Sequence, residues 1–143
     1  MFKLSQQDSM MIWSSFGLVR GMYGLSPAQE ALAARFDPAL RHARPVPFTG
    51  RDGLTICNAL MAYLAFSGLS SNTVCDQNGK DMTADVQRWT RGLLIRILKD
   101  FNAYNPAMFE EMLDGAKRRA EEDLERFVAF VAEQQRSAAT VRA

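Results

Sequence analysis

The sequence predicts an all-α, single-domain bundle of about five helices with a long C-terminal helix. Three observations predict it. Apolar residues recur at three- and four-residue spacing along most of the chain, start and stop signals punctuate those stretches, and no run of β-branched residues alternates with polar ones over strand length. The length, 143 residues, suits one domain rather than two. The expected limits are a helical domain over 1–136 and a frayed, patternless tail over 137–143.

Ser5-Gln6-Gln7-Asp8 resembles a capping box, and Met10, Trp13, Phe16 and Val19 or Arg20 follow at three- and four-residue spacing until Gly21 and Gly24 end the first helix. Ser26-Pro27-Ala28-Gln29 is the stronger signal, with a capping hydroxyl, proline at the first helical position and glutamine closing the box. This second helix should reach about Phe36, and Asp37-Pro38 should start one more turn ending near Arg41. Pro45 and Pro47 hold the next stretch extended, because each also restricts the residue before it.

From Gly53 to Cys75 there is no charge. The dense apolar part, Leu54 to Leu69, has 16 residues interrupted by Thr55, Asn58, Ser67 and Gly68. A membrane span needs about 20 residues, so this reads as a buried helix at the centre of the domain, with Asp52 or Thr49 as its cap. A polar loop with an Asn78-Gly79 turn follows. The fourth helix is expected from about Thr83 to Phe101, facing inward through Val86, Trp89, Leu93, Leu94, Ile97 and Phe101. Asn105-Pro106 opens the last helix, which should run to about Gln135. Its stripe is Phe109, Met112, Leu113, Ala116, Ala120, Leu124, Phe127 and Val131. Gly115 within it costs about 1 kcal/mol relative to alanine and is a place for a bend.

Composition excludes more chemistry than it suggests. Seventeen basic residues balance 16 acidic ones, so bulk electrostatics does not select the partner. Two distant cysteines and one histidine cannot supply the usual structural zinc tetrad, and a di-iron bundle would need two Glu-x-x-His repeats. His42 lies among Arg41, Arg44 and Pro45 with no orienting partner in sequence, and reads as a solvated residue of a basic connector. Asp76 to Asp81 resembles a calcium loop only superficially, since glycine falls at position 4 and lysine at 5. Gly50-Arg51-Asp52-Gly53 lacks the phosphate-loop pattern, and Asp52 would repel an anion. Without an apparent secretory leader, Cys57 and Cys75 are expected as reduced thiols in a cytoplasmic protein. No cofactor and no metal is expected.

The candidate partner-binding residues are Arg88, Arg91, Arg96 and Lys99. They lie opposite the apolar stripe of the fourth helix, within roughly 140° of arc at 100° per residue. Arg118, Arg119 and the acidic block that follows suit i,i+4 pairing or docking on a mosaic protein surface. Met108 and Met112 fall where an adaptable apolar contact can form. The expectation is a non-enzymatic helical protein that binds a larger macromolecule, most naturally a protein, as a regulator, inhibitor or assembly subunit of the kind mobile elements carry. No membrane association is expected, and the long C-terminal helix offers a route to a homodimer. The alternative is a nucleic-acid-binding regulator using the basic face of the helix at 83–101, against which stands a pI of about 7.8.

Overall fold

The computed structural model describes residues 4–38, 50–69 and 74–142. Among them are five helices, α1 (Gln6–Tyr23), α2 (Pro27–Ala34), α3 (Gly50–Ser67), α4 (Thr83–Asp100) and α5 (Pro106–Arg142). The chain is therefore an all-α bundle with a long C-terminal helix. Both predicted capping boxes form: Ser5 with Asp8, and Ser26 with Gln29. Gly24 ends α1 at φ 78°, a conformation that side chains disfavour.

The centre of the bundle is α3, which packs against α1, α4 and α5. Ile56 and Leu60 on α3 are completely buried, and they meet Ile12 and Phe16 of α1, Leu93, Leu94 and Ile97 of α4, and Phe109 and Leu113 of α5 in one core. Gly53 lets the Phe101 ring at the end of α4 lie close against α3, since a Cβ there would push that ring aside. Gly50 is already helical, so Asp52 lies within the helix, where it pairs with Arg35 at 3.3 Å, and is not the cap. Thr49, the other expected cap, lies outside the described residues, as do the proline-containing connector and His42.

The inward face of α4 differs in two places from the expected stripe. Trp89 and Phe101 are only partly covered, and Thr90 is fully buried instead. Thr90 sits a turn from Val86 and Leu94 on the inner line, and its hydroxyl lies 3.7 Å from the Met11 sulfur. Between α3 and α4, Asp76 Oδ1 accepts from the amides of Asn78 and Lys80, and Gly79 adopts φ 82°, giving the expected turn.

The last helix is longer than its sequence pattern. Residues 137–142 are helical rather than a frayed tail. Ala138 and Ala139 favour helix, the Thr140 hydroxyl donates to the Arg136 carbonyl at 3.0 Å, and Arg136 pairs with Glu133 one turn back. With 37 residues, α5 is about 55 Å long at 1.5 Å per residue, against about 27 Å for the 18 residues of α3. The second half of α5 therefore extends past the bundle.

Candidate functional site

The four basic residues of α4 do not behave alike. Arg96 donates to Asp8 Oδ1 at 2.6 Å, and Asp8 is buried at the start of α1, where its other oxygen accepts from the Ser5 amide at 2.9 Å. Arg91, at the other edge of the arc, pairs with Glu110 and lies 5.1 Å over the Phe109 ring of α5. These two arginines tie α4 to its neighbours on either side. Lys99 sits 5.4 Å over Tyr104, and Arg88 pairs with Asp85 on its own helix at 2.7 Å while remaining well exposed. The arc read from the sequence thus holds two inter-helix fasteners at its edges, with Arg88 and Lys99 between them.

A larger feature runs along α5. The stripe Phe109, Leu113, Ala116 and Ala120 is buried against α3, and Leu124 is half-buried. Phe127 and Val131 continue the same face, but they lie beyond the bundle and are exposed. The sequence places them in the buried stripe because their spacing is unchanged. Val128 and Phe130 are exposed as well, at 59% and 61%, so a cluster of four large apolar side chains stands on the projecting half of α5. Val128 and Phe130 fall outside the inward stripe; their only sequence signal is the apolar run Phe127-Val128-Ala129-Phe130-Val131-Ala132.

Beside the packed half of α5 lies an open groove of about 880 Å³ shared with α3. Leu54, Cys57 and Met61 line it from α3, Met108 and Met112 from α5. Leu54, Met108 and Met112 are all more than half exposed. At its end Tyr23 donates from its hydroxyl to Asp123, which also accepts from Arg126. Burial and that bond push the Tyr23 hydroxyl up to about 12. Burial pushes the Cys57 thiol up to about 11, whereas Cys75 is exposed in the turn before α4. Among the described residues no cluster of three His, Cys, Asp or Glu side chains could hold a metal ion, and no helix is long and apolar enough to cross a membrane.

Comparison with known proteins finds no family model, no curated protein and no solved structure that matches this chain.

Proposed function

We propose that this protein is a non-enzymatic binding protein that engages a larger protein partner through α5, as a regulator, inhibitor or assembly subunit. The observation that carries this reading is the exposed cluster Phe127, Val128, Phe130 and Val131 on a helix that has left its own bundle. Contiguous apolar surface of this kind is characteristic of interaction sites, and large aromatic side chains dominate the energetics of most interfaces. An 18-residue helical extension without tertiary packing is marginal by itself in water, so association would supply the contacts that hold it. The nucleic-acid alternative draws less support: Arg91 and Arg96 are engaged with Glu110 and the buried Asp8 within the fold.

The test is affinity capture from the native host at two ionic strengths, with and without nuclease, using the wild type and Val128→Glu/Val131→Glu. The reading expects a protein captured regardless of salt and nuclease, and lost with the double substitution. Capture that nuclease abolishes, that falls steeply with salt and that ignores the substitutions would overturn it.

A further inference from the structure

One side of α5 carries three pairs of residues placed symmetrically about Glu121. Met112 and Phe130, Gly115 and Phe127, and Arg119 and Asp123 each stand at equal distances from Glu121 along the chain. At 100° per residue these six positions share one face of roughly 120°, while Glu121 points to the opposite side. The face is open: Met112 is 54% exposed, Phe127 41% and Phe130 61%, Arg119 is exposed, and the groove against α3 borders its first half.

We propose that this face joins two copies of the chain, with the two α5 helices antiparallel about an axis level with Glu121. This rests on the reading of α5 as the protein's contact element and names a second copy as the partner of this side. In that register each Phe130 lies over Met112 of the other copy and each Arg119 opposite Asp123, near the midline of the face. A parallel pairing in register would set Arg119 against Arg119 and Asp123 against Asp123, like charges that repel.

Charge favours the antiparallel arrangement. Asp123 already holds Tyr23 and Arg126, and a carboxylate has further acceptor capacity for a guanidinium.

The available area is also sufficient. Taking about 200 Å² for each fully exposed large side chain, the open fractions of Leu54, Met108, Met112, Phe127 and Phe130 give about 550 Å² of apolar surface per copy. Interfaces are about 60% apolar, which scales to roughly 900 Å² in total, against about 800 Å² per partner in a standard stable complex. The projecting half of α5 and the groove wall formed by α3 are each about 27 Å long, so an arm can lie along the groove of the other copy. Val128 and Val131 lie outside this face, so in the dimer the larger partner would meet α5 through them while the second copy covers Phe127 and Phe130.

The experiment is sedimentation equilibrium on the full chain at tens of micromolar, with circular dichroism to confirm that each variant is helical. The wild type is expected at twice the 16.0 kDa chain mass. Arg119→Asp and Asp123→Arg, each alone, should weaken the dimer at least tenfold. Mixed together, the two variants should recover a heterodimer, because each then supplies the charge that the other lacks. A monomeric wild type, a dimer insensitive to both reversals, or a mixture no more associated than its parents would overturn the proposal. A monomeric wild type that still captures its protein partner through Val128 and Val131 would overturn the dimer alone and leave the proposed function standing.

Discussion

Replacing Asp8 by alanine separates the structural from the exposed members of the basic face of α4. Its side chain is 9% exposed, closes the α1 capping box through the Ser5 amide at 2.9 Å and accepts from Arg96 at 2.6 Å. Losing the capping bond costs about 1 kcal/mol, since Ser5 still caps the Asp8 amide. The Arg96 side chain is 52% exposed, so solvent screening puts the pair near the surface value of about 1 kcal/mol, well below the 3–5 kcal/mol or so of a fully buried pair. Asp8→Ala should therefore cost about 2 kcal/mol, which lowers the melting temperature by roughly 4–8 °C in a chain of this size. Urea denaturation of the wild type, Asp8→Ala, Arg96→Ala and the double variant should give a coupling of about 1 kcal/mol. Arg88→Ala should stay within about 0.5 kcal/mol of wild type, as exposed substitutions usually do. An Asp8→Ala variant as stable as the wild type, or no coupling to Arg96, would refute the fastener role.

Leu60→Ala should destabilise by about 2–5 kcal/mol in the same denaturant assay, because Leu60 is fully buried on the central helix; an unchanged midpoint would move the core elsewhere. A chromogenic disulfide reagent should modify Cys75 at once and Cys57 only as slowly as the bundle opens, since Cys57 is buried and its thiol is pushed up to about 11; two fast thiols would contradict the packing of α3. Tyr23 ionises near 10 in the unfolded chain and at about 12 in the fold, so the unfolded state releases its proton first. Its stabilising contribution is full below pH 10 and is lost as pH rises toward 12. Tyr23→Phe should flatten that part of the stability profile measured by fluorescence, and an unchanged slope would remove the Tyr23–Asp123 bond from the account.

What was legible in the sequence was local. Ser5 with Asp8 and Ser26 with Gln29 are readable because a capping box lies within three residues, and the apolar run of α3 carries its own burial signal. The contacts that divide α4 are not readable, since Arg96 finds Asp8 88 residues away and Arg91 finds Glu110 across a helix boundary. Thr90 escaped because hydroxyl residues favour caps and turns, yet its place one turn from Val86 and Leu94 put it inside. The point where α5 leaves the bundle has no local mark. Leu124, Phe127 and Val131 keep the spacing of Leu113, Ala116 and Ala120, and only the lengths of α3 and α5 decide which are covered.

In the proposed function α5 is divided, its first half building the core and its second half serving as a contact surface. Amide hydrogen exchange on the full chain tests this most directly, because protection follows local stability. In dilute protein, amides from Phe109 to Leu124 should exchange slowly and those from Arg126 to Thr140 quickly. The fast set should gain protection when the protein is concentrated or its partner is added. Equal protection along the whole helix in dilute protein, or a distal half that stays unprotected under every condition, would contradict the account.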